Sequence, residues 1–203
     1  MNTRSITLRT LVGDAIAPYV DALARLRIQV FREWPYLYQG SAVYEADYLQ
    51  VYTRSKRSVA VLAFDGGQVV GASTGLPLEE ESAAFIAPFA AAGYPPATVF
   101  YCGESVLMPA YRGQGLGHRF FDEREAHARA LGGFAWTAFC SVDREPADPR
   151  RPAMHRDNEL FWRKRGYAPV PGMQVALPWP EVGADEELPH TLTCWTRPLE
   201  VFW

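Results

Sequence analysis

The chain predicts an α/β fold, and three stretches carry that prediction. Residues 99–131 read as an apolar, β-branched and aromatic strand, a glycine-punctuated turn and then an amphipathic helix. Residues 58–64 and 69–76 read as strands joined by Asp65-Gly66-Gly67, a strong hairpin signal. Residues 134–142 form an apolar strand after the helix-stopping pair Gly132-Gly133, and a short helix over residues 158–165 closes at Gly166. At 203 residues, 48% hydrophobic and 21% charged, the chain has material for a full core, as one domain or one domain with an insertion.

In order, residues 5–11 alternate weakly and predict a first strand. Gly13-Asp14 offers an N-cap for a helix over residues 15–31, with Ile16, Val20, Leu23, Leu26 and Val30 at helical spacing. Residues 32–48 crowd Trp34, Tyr36, Tyr38, Tyr44 and Tyr48 together with Glu33, Glu45 and Asp47. Pro35 and Gly40 break any long helix there, and residues 44–53 suit a short one. Such a cluster fits either a pocket for a cationic, partly apolar amine, with Trp34, Tyr36, Tyr38 and Glu45 binding substrate, or a helix pair packed on a sheet edge.

Residues 79–93 predict a helix or lid, with Glu79-Glu80-Glu81 solvated at its start, where negative charge suits the helix dipole. Tyr94-Pro95-Pro96 then turns the chain. Residues 143–157 form a polar loop whose Arg144, Arg150, Arg151 and Arg156 either reach a ribose phosphate or acidic substrate or stay solvated. Residues 173–177 and 191–196 are closing strands separated by a Pro- and acid-rich loop. The order is β-α-α-β-β-(α)-β-α-β-α-β-β.

Charge and composition narrow the partners. Twenty basic against 23 acidic residues give a net charge of −3, with no global drive towards nucleic acid or an anionic membrane. No run approaches the roughly 18 apolar residues of a membrane span, and Met1-Asn2-Thr3-Arg4-Ser5 lacks the apolar core of a signal peptide. Cys102, Cys140 and Cys194 are odd in number and widely spaced, as expected of buried reduced thiols in a cytoplasmic protein. His118, His127, His155 and His190 show no metal-ligand spacing, so no metal is expected.

The glycine turn is the chemically informative stretch. Pro109 ends the preceding strand, and Gly113, Gly115 and Gly117 let a ligand approach the main chain closely. Leu116, Phe120, Phe121, Ala128 and Leu131 fall on one helical face. Asp122, Glu123, Glu125 and Arg129 face away, with Glu125 and Arg129 at i,i+4 spacing. A helix N-terminus opened by such a loop is an anion site suited to phosphate. No Lys-Ser or Lys-Thr follows the glycines, as a P-loop requires, and His118 stands where a dinucleotide fingerprint needs its third glycine.

What fits is Arg112-x-x-Gly115-x-Gly117, which resembles the Q/R-x-x-G-x-G/A pyrophosphate loop of the GNAT N-acetyltransferase family. VLMPAYRGQGLG is similar to that family's strand-to-loop motif, and FWRKRGYAPV resembles its closing helix-to-strand motif. The likeness covers residues 58–170 well and the ends loosely. It implies one domain over residues 1–203 with the acyl-CoA N-acyltransferase fold, a mixed, mostly antiparallel sheet of about six to seven strands flanked by helices. It also implies acetyl-CoA as donor and a small-molecule or peptide amine as acceptor, and a homodimer would be unsurprising. In such a protein the main-chain N–H groups of Arg112, Gly113, Gln114, Gly115, Leu116, Gly117 and His118 hold the pyrophosphate. Ser105, Val106, Leu107 and Met108 pair with the pantetheine arm, and Arg112 adds a charge-assisted contact.

Acetylating an alkylamine first requires removing a proton of reference pKa near 10.4, roughly 4 to 5 kcal/mol at pH 7, so a general base is needed. Glu104 is the first candidate. It is out of character in an apolar strand, eight residues before Arg112, where many family members carry a carboxylate. The alternative is an edge glutamate paired with an arginine; Glu33, Glu45 and Asp47 are further candidates for the base. A strand N–H near Val106 or Leu107 would serve the oxyanion of a tetrahedral intermediate. The Tyr that the family usually offers the leaving thiolate is Trp162 here, whose indole N–H is no acid. Either Tyr167, Tyr101 or a water substitutes, or the thiolate, of pKa near 8.5, leaves unassisted, or the chain is no efficient acetyltransferase. Asn158 either caps the last helix or binds pantetheine. The expected reaction is acetyl transfer to a primary amine, the alternative a non-catalytic acyl-CoA binding or sensing module.

Overall fold

A computed structural model describes residues 6–199, so Ser5, where the first predicted strand begins, lies outside the described residues. Strands β1 (Ile6–Val12), β2 (Val59–Asp65) and β3 (Gln68–Pro77) pair antiparallel in turn. The β2–β3 connection is the predicted Asp65-Gly66-Gly67 hairpin, with Gly66 left-handed at φ 59°. Strands β4 (Val99–Tyr101), β5 (Ser105–Leu107), β6 (Trp136–Val142), β7 (Ala168–Pro180) and β8 (Glu187–Pro198) complete the sheet, in the order β1-β2-β3-β4-β6-β8-β7. β5 lies off that path, paired with β3. Every pairing is antiparallel except β4 with β6, so the sheet is mixed and mostly antiparallel as expected.

Helices cover both faces. α1 (Val20–Phe31), α2 (Ala42–Tyr48), α3 (Gln50–Arg54) and α4 (Ala83–Ala91) contribute to one core, with Leu23, Leu26, Tyr52, Phe85 and Phe89 packed on Leu62, Leu76 and Tyr101. α5 (Leu116–Leu131) builds the other, with Phe120, Phe121 and Ala128 on Val61, Phe100 and Phe139. β2 shows the two-residue period of a strand buried on both sides. Ala60, Leu62 and Phe64 join the first core, and Val59, Val61 and Ala63 the second. The last helix, α6 (Glu159–Lys164), follows the polar loop.

Several local expectations shift. Pro18 lies in a 3-10 turn, Gly13–Tyr19, so α1 starts at Val20 with no side-chain cap, and Gly13-Asp14 caps nothing. Ser41 caps α2 instead, its Oγ accepting from the Tyr44 N–H at 3.2 Å. On α5, Glu125 is buried rather than outward-facing. It binds Arg197 at 2.9 Å and the Tyr167 hydroxyl at 3.3 Å, while Leu131 is exposed. α4 is a packed helix whose Phe85 and Phe89 rings lie 5.0 and 6.3 Å from Tyr101. β7 and β8 extend far enough to reduce the Pro- and acid-rich loop to residues 181–186, and β7 tolerates its prolines as the sheet's edge. Among the described residues no helix is long and apolar enough to cross a membrane. The three cysteines are unpaired and buried.

Candidate active site

The single strand predicted ahead of the glycine turn is two short strands separated by a bulge at Cys102, Gly103 and Glu104. Opposite the bulge, the Thr74 N–H donates to the Glu104 carbonyl at 3.0 Å and the Gly103 N–H to the Thr74 carbonyl at 3.1 Å. A Cβ on Gly103 would stand 1.9 Å from the Tyr52 hydroxyl oxygen, so the site admits only glycine. The Cys102 N–H makes a last bond to the Ala138 carbonyl at 2.7 Å, after which β6 continues beside β8 and β5 pairs with β3 alone. A parallel pair thus opens into a cleft.

Register decides what faces that cleft. The Glu104 carbonyl and the Met108 N–H bond to β3, the latter to the Val70 carbonyl at 3.0 Å. By the two-residue alternation Val106 faces β3 as well, and the main-chain groups of Ser105 and Leu107 point into the cleft. Of the expected strand contacts, Val106 and Met108 therefore have their main-chain groups committed within the sheet, and Leu107 does not. Arg124, buried on α5, braces the bulge from the other face, donating to the carbonyls of Glu104 at 3.1 Å and Thr74 at 3.3 Å.

β5 runs into the glycine loop through a 3-10 turn, Pro109–Tyr111. Gly113 and Gly115 are left-handed at φ 76° and 79°, and a Cβ on either would meet nothing within 4 Å. Backbone conformation, not crowding, selects glycine there. Gly115 immediately precedes α5, and Arg112, Gly113, Gln114 and Gly115 are exposed, which leaves an open concavity at a helix N-terminus. Gly117 is helical and leaves room for Phe161, whose ring also meets His118 at 4.8 Å; Leu116 packs into the core. Gln114 Nε2 donates to the Ala110 carbonyl at 3.2 Å. Arg112 turns back, Nε to the Leu107 carbonyl at 3.0 Å and Nη2 to Glu33 at 3.0 Å, so it braces the loop.

On the α1 side, Glu104 is 6% exposed. Its Oε2 meets Arg27 Nη1 at 2.7 Å and accepts from the Tyr48 hydroxyl at 3.4 Å, while Oε1 has no hydrogen-bond partner. Burial pushes this carboxyl above the ordinary range, and the Arg27 charge pulls against it. Arg27 also binds Glu45 at 2.5 Å and lies over the Tyr48 ring at 4.2 Å. Glu104 and Arg27 form part of the wall of a cavity of about 90 Å³ otherwise lined by Tyr36, Tyr38, Tyr44, Tyr48, Trp179 and other apolar groups. Burial pushes the Tyr36 hydroxyl up to about 12, so it stays protonated at neutral pH. The Cys140 thiol lines the same cavity, its Sγ 3.1 Å from Cys194 Sγ across the sheet.

The aromatic walls are fixed by an ion-pair knot. Glu181, buried at the end of β7, pairs with both Arg144 and Arg150. Arg144 Nη2 donates to the Tyr36 carbonyl at 2.7 Å, as does Trp179 Nε1 at 3.2 Å. The polar loop is thus partly internal, not simply solvated. Of the predicted substrate residues, Tyr36 and Tyr38 line the cavity. Glu45 is fully buried and bound to Arg27, and Trp34 packs outside, 6.1 Å from the His155 ring and under Arg144.

Residues 23–149 match the family model described as Acetyltransferase (GNAT) family. The chain belongs to the GNAT family. Solved structures share the fold at low identity. An acetyltransferase from Thermus thermophilus is 18% identical, with 98% of this chain and 99% of that chain covered and a TM-score of 0.57. Arabidopsis thaliana NAA60, solved with a bisubstrate analogue, is 10% identical over 97% and 100%, TM-score 0.61. An aminoglycoside 6'-N-acetyltransferase complexed with coenzyme A is 16% identical over 96% and 99%, TM-score 0.58. No curated protein matches the sequence.

This GNAT chain departs from expectation at its last helix. Trp162 packs its ring 5.0 Å from Phe139 and 5.2 Å from Trp195. Tyr167 is no substitute acid: it is 2% exposed in the α5-side core, its hydroxyl bound to Thr137 at 2.8 Å and to Glu125. Burial holds its pKa well above the usual value. Asn158 is exposed at the start of α6, yet its side chain makes no cap. Asp157 accepts from the Glu159 N–H instead, at 3.1 Å. Among the described residues no group of His, Cys, Asp or Glu is placed to hold a metal ion. Arg27, Arg124 and Glu81 were missed from sequence. The available signal was charge inside an apolar stripe: Arg27 follows Leu23 and Leu26, and Arg124 sits between Phe120 and Ala128.

Proposed function

We propose that this GNAT protein transfers the acetyl group of acetyl-CoA to a primary amine of a small molecule or peptide, directly, through a tetrahedral intermediate. The observation that carries the reading is one of continuity. Glu104 immediately precedes β5, β5 has an unpaired edge on the opened cleft, and the left-handed glycine loop follows β5. Acetyl-CoA, when bound, supplies the activated thioester. The loop amides from Gly113 to Gly117 suit its pyrophosphate, whereas those of Arg112 and His118 already donate to the Pro109 and Gly115 carbonyls. The Ser105 main-chain groups and the Leu107 N–H suit the amides of its arm and the oxyanion. Tyr36, Tyr38 and Tyr48 receive the cationic acceptor, and Glu104 Oε1 accepts its proton. With Tyr167 in the core and Trp162 in the usual acid's place, the thiolate leaves without a protein acid, feasible for a pKa near 8.5.

We read residues 1–203 as a single such domain acting in the cytoplasm, in keeping with its three unpaired thiols. A second reading, a non-catalytic acyl-CoA sensor, is favoured by Trp162 alone. Calorimetry with acetyl-CoA and desulfo-CoA, followed by turnover on an amine panel, separates the two. Micromolar binding lost in Gly115→Asp, with turnover falling about 10²–10⁴-fold in Glu104→Gln, supports the enzyme. Binding without turnover on any amine supports the sensor. Absence of binding overturns both.

A further inference from the structure

Two of the three thiols stand together. β6 and β8 pair antiparallel with Cys140 directly opposite Cys194 in the register. Opposite residues in such a ladder have Cα atoms about 4.5 or 5.5 Å apart, and both spacings lie within the range that a disulfide spans. The two side chains share one face of the sheet and pack in the same core. Their Sγ atoms are 3.1 Å apart, so about 1 Å of approach separates the thiols from the length of an S–S bond. The next pair along the ladder, Phe139 and Trp195, faces the other core with its rings stacked, which holds the two strands in this register.

Access is unequal among the cysteines. Cys140 borders the aromatic cavity, and Cys194 lies behind it, fully buried. A cavity of about 90 Å³ admits molecules the size of water or peroxide to the Cys140 sulfur and keeps bulky thiol reagents out. Cys102 is the contrast within the same chain: it is fully buried in the other core, and among the described residues no second sulfur lies against it. Burial pushes the Cys140 thiol well above its usual range, so little thiolate is present at neutral pH. What sets the pair apart is therefore the second sulfur within reach, not acidity.

We propose that Cys140 and Cys194 are an oxidation site, at which hydrogen peroxide entering the cavity converts the two thiols into one disulfide across β6 and β8. The Cys140 sulfur attacks one peroxide oxygen, the O–O bond breaks, and Cys140 becomes a sulfenic acid as water leaves. The Cys194 sulfur then displaces that hydroxyl, the S–S bond forms and a second water leaves. In balance, two thiols and one hydrogen peroxide give one disulfide and two waters; the sulfurs lose two electrons and the peroxide gains them. A dithiol reductant returns the pair to thiols. The bond closes a loop over residues 140–194 that carries Arg144, Leu177, Trp179 and Glu181. Oxidation thus ties the ion-pair knot and one wall of the cavity covalently to β6. None of this depends on the acetyl-transfer reading.

The test exposes the folded full chain to hydrogen peroxide, destroys the excess with catalase, and then unfolds the protein in guanidinium with N-ethylmaleimide for mapping by mass spectrometry. Wild type is expected to become lighter by two hydrogens before labelling, to carry maleimide at Cys102 alone, and to yield one peptide that links Cys140 to Cys194. Dithiothreitol should restore labelling at all three cysteines. Cys102→Ala is expected to keep the cross-link and Cys194→Ala to lose it. Labelling of all three thiols after peroxide, or a sulfinic or sulfonic acid at Cys140 in place of the cross-link, overturns the proposal. A bond that involves Cys102 or joins two chains overturns it as well. Should Cys194→Ala fail to fold, the wild-type map and Cys102→Ala decide between the same outcomes.

Discussion

Arg124 Nη1 donates to the main-chain carbonyl of Glu104 at 3.1 Å, from the face of the sheet opposite the one where the Glu104 side chain meets Arg27. One arginine fixes the backbone of the residue and another its carboxylate, so the bulge and the candidate base are held as a unit. Arg124→Met keeps the apolar stem against Phe121 but removes two charge-assisted bonds. It is expected to cost about 2–3 kcal/mol in urea unfolding and to lower turnover. Wild-type stability in this variant would show that the Thr74 ladder alone holds the bulge.

Gly103 is the tightest of the glycines. A Cβ added there would lie 1.9 Å from the Tyr52 hydroxyl oxygen and 3.1 Å from its ring carbon Cζ, so Gly103→Ala is expected to cost about 1–3 kcal/mol. Adding Tyr52→Phe removes the closest atom and should return part of that loss. A double-mutant cycle by denaturant unfolding measures the coupling, and strictly additive losses would contradict the clash.

Glu81 makes stability depend on pH in a defined direction. Its folded carboxyl, near 7, binds its proton more tightly than an unfolded one near 4.5, so folding is favoured while the proton is held. That contribution is complete below the unfolded value and is lost as the pH rises through the folded one, about 3 kcal/mol in all. Glu81→Gln, always neutral, should gain on wild type by that amount between mildly acidic and mildly alkaline buffers. Parallel pH profiles for the two proteins would refute this.

Arg144 ties Glu181, Tyr36 and the Trp34 ring together at the cavity wall. Arg144→Ala leaves Glu181 with Arg150 as its remaining arginine and frees the segment that carries Tyr36 and Tyr38. The expected loss is about 3–5 kcal/mol, with a raised KM for the amine and unchanged affinity for acetyl-CoA. A change in acetyl-CoA affinity instead would place the knot's influence at the cleft and not at the acceptor wall.

The hairpin at Asp65-Gly66-Gly67, the glycine loop and α5 were legible because their causes are local: turn chemistry, positive φ and helical periodicity lie within a few residues. The likeness of residues 105–117 to a pyrophosphate loop has the same origin. Tyr167 was misread because its motif position says nothing about which face of the sheet its hydroxyl meets. Glu81 was misread because three consecutive glutamates look alike until Arg57 draws two of them outward.

By itself, the sequence determined the element order, the glycine loop and an acid out of place in an apolar strand. Only the tertiary structure decided that the strand splits at Gly103, that Ser105 and Leu107 face the cleft, and that Arg27 holds both Glu45 and Glu104. The physical reason is that these outcomes depend on groups far apart in the chain. Tyr52 excludes a Cβ from residue 103, β3 sets the register of β5, and burial raises the Glu81 carboxyl while Arg57 draws Glu79 and Glu80 outward.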